Sequence, residues 1–157
     1  MNKRILINNA ELCDAEALLN LQRLAFRTEA ELYDDWQIAP LTESLDTLLA
    51  ELKKNVVIKA IHRDSERLVG SVRARLEGEV CYIGRLSVHP DFRNYGIGTV
   101  LMNEIEGRFP VAKRFELFTG YRSFGNLRLY ARLGYIRHEE HQVSEKLRLV
   151  LLKKVVD

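Results

Sequence analysis

Leu86-Ser87-Val88-His89-Pro90-Asp91-Phe92-Arg93-Asn94-Tyr95-Gly96-Ile97-Gly98-Thr99-Val100-Leu101-Met102 is the stretch on which the rest of the chain is read. It predicts a strand ending at Val88, a proline-marked turn, two glycines one residue apart, and a helix whose apolar positions Ile97, Leu101 and Ile105 recur every fourth residue. The first turn of a helix has backbone N–H groups without internal partners, and its aligned peptide dipoles place about half a positive charge there. Such a point favours an anion. Gly96 and Gly98 lack a Cβ, so a phosphate can approach those N–H groups closely and the turn is free in its backbone angles. A Walker A loop closes on Gly-Lys-Ser/Thr, whereas Gly98 is followed by Thr99-Val100; a dinucleotide fingerprint needs a small residue at 101, which is leucine. Neither nucleotide motif fits.

With 157 residues the chain has the length of a single domain, 1–157, and can bury one core. A hydrophobic share of 46% and a charged share of 29% are those of an ordinary globular protein, and a net charge of +2 with dispersed Lys and Arg argues against nucleic acid as a partner. Apolar runs are only a few residues long, and Met1-Asn2-Lys3-Arg4-Ile5-Leu6-Ile7 lacks the apolar centre of a signal peptide. The expectation is a cytoplasmic protein without membrane contact, a homodimer being allowed. Cys13 and Cys81 are too few for a disulfide framework and show no metal-ligand spacing, so no metal is expected and both read as small core residues.

Taken in order, Arg4 to Asn8 reads as a strand, and Asp14 as the cap of a helix bearing Leu18, Leu21 and Ala25. Thr28 to Pro40, acidic and aromatic without period, reads as a loop with a helical turn at most. Thr42 is placed to cap a second helix with Leu45, Leu48, Leu49 and Leu52 on one face. Val56–Ile61 and Leu68–Leu76 form a hairpin, and Val80–Val88 follows with Gly84 marking a bulge or a close backbone approach. The helix from Gly98 ends near Phe109-Pro110, and strand 114–119 belongs parallel to 80–88 through a right-handed crossover. Asn126–Leu133 is a helix stopped by Gly134, and the segments from Tyr135 and from Lys146 to Val155 are an antiparallel pair. The fold class is mixed α/β (α+β): a mostly antiparallel twisted sheet, one parallel pair, and about four helices.

Arg93-Asn94-Tyr95-Gly96-Ile97-Gly98, between a strand and a helix, matches Arg/Gln-x-x-Gly-x-Gly/Ala and resembles the pyrophosphate loop of the GCN5-related N-acetyltransferase (GNAT) family. About 30 residues further on, Asn126-Leu127-Arg128-Leu129-Tyr130-Ala131-Arg132-Leu133-Gly134-Tyr135 is similar to the family's Asn-x-x-x-Tyr-x-x-x-Gly-Phe/Tyr segment. The likeness covers nearly the whole chain. It implies the acyl-CoA N-acyltransferase fold, with acetyl-CoA as donor and a primary amine of a small molecule or peptide as acceptor, attacked directly in a ternary complex.

The resemblance also implies roles. Two parallel strands that splay leave backbone groups of Leu86, Ser87 and Val88 for the amides of a pantetheine arm, as a substitute strand. The diphosphate would sit on the N–H groups of Arg93, Asn94, Tyr95, Gly96, Ile97, Gly98 and Thr99, with the Arg93 side chain adding charge-assisted bonds. Asn126 would hold the coenzyme from the other side or cap its own helix. Tyr130 would protonate the departing thiolate, or pack between helix and sheet: its reference pKa near 10 against about 8.5 for a thiol requires coupled transfer. Where many relatives carry an acid before the Leu-x-Val lead-in, this chain has Gly84-Arg85, so Glu79, acting through water, is the candidate base and Glu77 the second. His89 reads as a turn residue. That departure also keeps open a non-catalytic acyl-CoA sensor. In the family the segment between the first two helices walls the acceptor pocket, which here offers Glu29, Glu31, Tyr33, Asp34, Asp35 and Trp36. Asp34 or Asp35 would then hold a cationic amine, with Tyr33 beside them. Arg85, if it reaches the pocket, favours an acceptor with a carboxylate.

Overall fold

Runs of Val, Ile and Leu with period-two burial draw the backbone into strands β1 (Ile5–Asn9), β2 (Val56–His62), β3 (Arg67–Glu77), β4 (Val80–Val88), β5 (Arg114–Gly120), β6 (Ile136–Gln142) and β7 (Arg148–Val155). In this computed structural model, which describes residues 4–157, they form one sheet in the order β1-β2-β3-β4-β5-β7-β6. Met1–Lys3, part of the stretch read for a leader, lie outside the described residues. Every neighbouring pair is antiparallel except β4 and β5.

Among the described residues six α-helices accompany the sheet: α1 (Ala15–Ala25), α2 (Arg27–Tyr33), α3 (Ala39–Thr42), α4 (Leu45–Lys54), α5 (Ile97–Gly107) and α6 (Phe124–Arg132). The crossover helix α5 buries Ile97, Leu101, Met102 and Ile105 in a core with Ile58, Val72, Cys81, Phe115 and Leu152. Each such side chain stabilises the fold by roughly 1.5–3 kcal/mol. Gly70 permits this approach, since a Cβ there would lie 2.8 Å from Leu101 Cδ1. Leu18, Leu19, Leu48 and Val57 form a second cluster beneath α1 and α4. Val57 and Ile58 are adjacent on β2 and serve different clusters, as strand alternation requires.

Four expectations are corrected. Residues 28–40, read as a loop with a helical turn, hold most of α2 and the start of α3; α2 buries only Ala30 and Tyr33, too narrow a stripe to show as a period. Ser44, not Thr42, caps α4, its hydroxyl accepting from the Thr47 N–H at 3.1 Å. Asp14 makes no cap bond to α1; its carboxylate accepts from the Glu11 N–H at 2.7 Å and from Lys59 Nζ at 2.8 Å. Cys13 is exposed, while Cys81 is fully buried as expected, and burial with the nearby Glu106 charge pushes its thiol up to about 12. A thiol held that far from ionisation is no nucleophile. Among the described residues, no helix is long and apolar enough to cross a membrane, and no group of three metal-ligating side chains occurs.

Candidate active site

The parallel pairing of β4 and β5 covers Val80↔Arg114, Cys81↔Phe115 and Tyr82↔Glu116 and then stops, although both strands run on. A bulge explains the divergence. On β3, Ser71 faces Ser87 and Arg73 faces Gly84, so Arg85 and Leu86 share the space opposite one residue and have no register partner on either side. Gly84 marks the bulge, but Arg85 carries its left-handed geometry, with φ of 55°, and nothing lies within 4 Å of a Cβ built on Gly84. For a non-glycine residue that conformation costs about 1–2 kcal/mol. The bulge also changes the strand's phase: Cys81 and Ile83, then Leu86 and Val88, face the α5 core, leaving Ser87 beside Leu18 and Gln22.

Two cavities open along the gap. The smaller, about 380 Å³, is lined by Leu86, Val88, Arg93, Asn94, Gly96, Ile97, Gly98, Thr99 and Asn126 among others. Gly96 takes φ of 80° at the N-cap of α5, and Val100 N–H is the first in the helix to find a backbone acceptor, Gly96 O. The N–H groups of 97–99 are therefore left at the helix start, as the glycine pattern predicts. Residues 122–126, where α6 begins, line the same cavity, so two positive helix ends meet there with Arg93, Arg122 and Arg132. Gly98 is tied to packing too: a Cβ there would sit 3.2 Å from Leu129 Cδ2.

Some coenzyme-site expectations change. Tyr95 is 63% exposed and does not line the cavity. The Ser87 side chain is buried on the α1 side, its hydroxyl donating to Arg85 O at 3.1 Å, so only its backbone is near the gap. The Arg93 guanidinium donates to Thr28 Oγ1 at 2.8 Å and Ala25 O at 2.9 Å, so it also fixes the α1–α2 corner to the loop. Asn126 is not a cap; it lies inside α6 and donates to Thr119 Oγ1 at 3.3 Å.

The larger cavity, about 870 Å³, runs between Ile83–Leu86 of β4 and Leu117–Gly120 of β5, and is closed by α2, residues 35–42 and the β6–β7 loop. Tyr130 lines it at 5% exposure, its ring packed edge-on to Tyr135 at 5.9 Å. Burial, with the Glu29 charge, pushes its phenol well above the usual range and keeps it protonated. Phe26, Glu29, Leu86 and Asn126 line both cavities and mark their seam.

Glu79 stands elsewhere. It is exposed in the turn between β3 and β4, at the paired end of the parallel strands, and lines neither cavity; its carbonyl accepts from the Lys113 N–H at 2.8 Å. Glu77 pairs with Arg75 at 3.0 Å at that same end. The carboxylate at the seam is Glu29, which sequence reading placed only in an acidic wall. Its Oε2 accepts from Ser123 Oγ at 2.5 Å, and Ser123 Oγ shares a 2.8 Å hydrogen bond with Tyr33 Oη. Glu29 and Tyr33 are four residues apart on α2 and so share a face, a spacing that was available in the sequence.

Of the acceptor-wall residues, Tyr33 and Asp35 line the larger cavity. The Tyr33 hydroxyl is committed, accepting from the Arg122 N–H at 2.9 Å. Asp34 is corrected: its side chain is 91% exposed, lies 3.9 Å from Lys146 Nζ, and lines neither cavity. Arg85 does reach the cavity.

Gly120 is what lets Tyr33 lie so close. A Cβ there would fall on the Tyr33 hydroxyl, 2.5 Å from Cζ and 2.8 Å from Ser123 Oγ. Gly120→Ala is expected to lose about 2 kcal/mol of stability by overpacking, read as a lowered urea midpoint. An unchanged midpoint would show that the tyrosine relocates freely.

The acetyltransferase (GNAT) family model matches residues 15–135. The PaiA N-acetyltransferase of Thermoplasma acidophilum, in complex with coenzyme A, aligns at a TM-score of 0.77 with 16% identity, covering 99% of this chain and 100% of that one. The Arabidopsis thaliana NAA60, in complex with a bisubstrate analogue, aligns at 0.76 with 20% identity and 98% of both chains. A GNAT acetyltransferase from Streptococcus pneumoniae aligns at 0.76 with 16% identity, covering 98% of this chain and 99% of the other. Comparison with curated protein sequences finds no match. With the family model spanning both motifs and these neighbours sharing the splayed sheet's fold, the chain belongs to the GNAT acetyltransferase family.

Proposed function

We propose that the protein moves the acetyl group of acetyl-CoA to a primary amine by direct attack in a ternary complex. The observation that carries this reading is the interrupted β4–β5 pairing, which joins a basic, helix-start cavity to a larger one through a seam holding a carboxylate. The residues suit the coenzyme: N–H groups of 97–99 for the diphosphate, Gly96 leaving room above them, and unpartnered strand backbone at Leu86 for the amide arm. Bound there, the coenzyme supplies an activated thioester.

The chain's own groups then divide the work. Glu29 takes the proton that the amine nitrogen sheds as its bond to the thioester carbon forms. Backbone at Leu86, in the bulge and free of register partners, is placed to donate to the developing oxyanion. As the carbon–sulfur bond breaks, Tyr130 gives its proton to sulfur and then regains one from solvent, while the proton held by Glu29 passes to solvent, so both side chains return to their starting forms. Coenzyme A and the acetamide leave.

The test is thiol release from acetyl-CoA against a panel of amines. Turnover is expected with at least one amine, and Glu29→Gln should lower kcat by tenfold or more with coenzyme affinity retained. Tight coenzyme binding without thiol release from any amine would favour the sensor, and an unimpaired Glu29→Gln would remove that residue from the chemistry.

A further inference from the structure

Behind Arg85, which lines the larger cavity, lies a buried charge imbalance. Glu43, with a side chain only 4% exposed, is the carboxylate that two arginines share: Arg73 Nη2 donates to Oε2 at 2.9 Å, and Arg85 Nε lies 3.6 Å from Oε1. Gln22 Nε2 donates to that same Oε1 at 2.9 Å. Two guanidinium groups thus face one carboxylate whose oxygens are already bonded, with Glu51 on α4 a further negative charge felt by Arg85. The hydrogen bonding is incomplete as well: Arg73 Nη1 and Arg85 Nε are buried without a hydrogen-bond partner. Two cations about one anion leave a net positive charge there, and Arg85, the member of the group that lines the larger cavity, suits a second carboxylate.

Backbone geometry points the same way. The left-handed conformation at the bulge falls on Arg85 although Gly84 beside it would bear it without strain, and Arg85 lines the larger cavity. Leu86, the next residue, packs its side chain toward the α5 core and also lines both cavities at the gap where the thioester would lie. Charges elsewhere in the lining are mostly negative: Asp35 and Glu145 near the mouth, with Lys146, and Glu29 at the seam. An ammonium is welcome beside Glu29, Asp35 and Glu145, and a carboxylate is best matched by the guanidinium of Arg85.

We propose that Arg85 is a specificity-determining residue that binds the carboxylate of the acceptor, so that the substrates are free amino acids or similar amines bearing a carboxylate. This rests on the acetyl-transfer reading above and adds the acceptor's class. It sets aside a purely cationic amine held by Asp34, which faces solvent.

The experiment measures thiol release by the full chain with acetyl-CoA and two matched series, the free α-amino acids and their α-amides. The amides have the less basic amine and more of it neutral, so basicity does not favour the acids. In the wild type the best acid should exceed its amide by about 30-fold or more in kcat/KM. Arg85→Gln should bring the ratio within threefold, and Arg85→Lys, which keeps the charge and loses the fork, should restore part of it. Melting temperature and coenzyme affinity report whether each variant is folded. Equal use of acid and amide by the wild type, readable whatever the variants do, overturns the proposal, as does a ratio that survives Arg85→Gln in folded protein. If thiol is released but acids hold no advantage, Arg85 falls and acetyl transfer stands. If neither series is turned over, calorimetry of the same acids on coenzyme-loaded protein decides: binding lost in Arg85→Gln supports the carboxylate site, and no binding by the wild type overturns it.

Discussion

Gly96→Asp is expected to weaken coenzyme A binding by about 1,000-fold, or roughly 4 kcal/mol, while the protein still folds. Nothing lies within 4 Å of a Cβ at Gly96, so the substitution meets no steric barrier, and aspartate is among the residues that best tolerate the left-handed conformation imposed by φ of 80°. What changes is charge. A carboxylate would stand at the N-cap of α5, on the N–H groups that the coenzyme's diphosphate needs, and would repel that diphosphate as well. Gly96→Asn separates the two effects, having the same shape without the charge, and should lose far less. Calorimetry on the three proteins checks this; equal affinity of Gly96→Asp and wild type would place the diphosphate elsewhere.

Tyr130→Phe should reduce kcat by about 100-fold or more and leave coenzyme affinity almost untouched. Removing one oxygen keeps the ring, its edge contact with Tyr135 and the burial of the helix face. The hydroxyl is the only loss, on a residue that both joins the core and lines the larger cavity. Because burial and the Glu29 charge hold the phenol above its ordinary range, it carries its proton at any working pH, which is the form a general acid needs. Steady-state kinetics with a folded variant decide the point: an unchanged kcat would confine Tyr130 to packing.

Local signals were legible, and signals that depend on distant parts of the chain were not. Proline, paired glycines and a four-residue period mark β4, the loop and α5 because backbone geometry at those positions depends on the residues themselves. Tyr130 and Asn126 are visible through their spacing on one short helix. The position of Glu29 at the seam is not legible, because nothing in its neighbourhood shows that α2 folds over a strand pair whose members begin at Val80 and Arg114. Glu79 is near the lead-in along β4, and nearness along a strand says nothing about which end of the pair opens. Glu43 carried no signal at all; its weight comes from Gln22, Arg73 and Arg85, which lie on three other elements. Gly84 did announce the bulge, but the choice of Arg85 for the left-handed position is a tertiary outcome.

The break between β4 and β5 has a mechanical side. A sheet normally carries cohesion from edge to edge through its ladder of backbone bonds, and here that ladder is continuous across β1–β4 and again across β5–β7-β6, with only the short stitch from Val80 to Tyr82 between. A guest chain of amides lying in the opening would extend that stitch, so the ligand would act as a structural member of the fold as well as a reagent. In that sense the protein is a sheet built one strand short, with a gap that a bound chain of amides would complete.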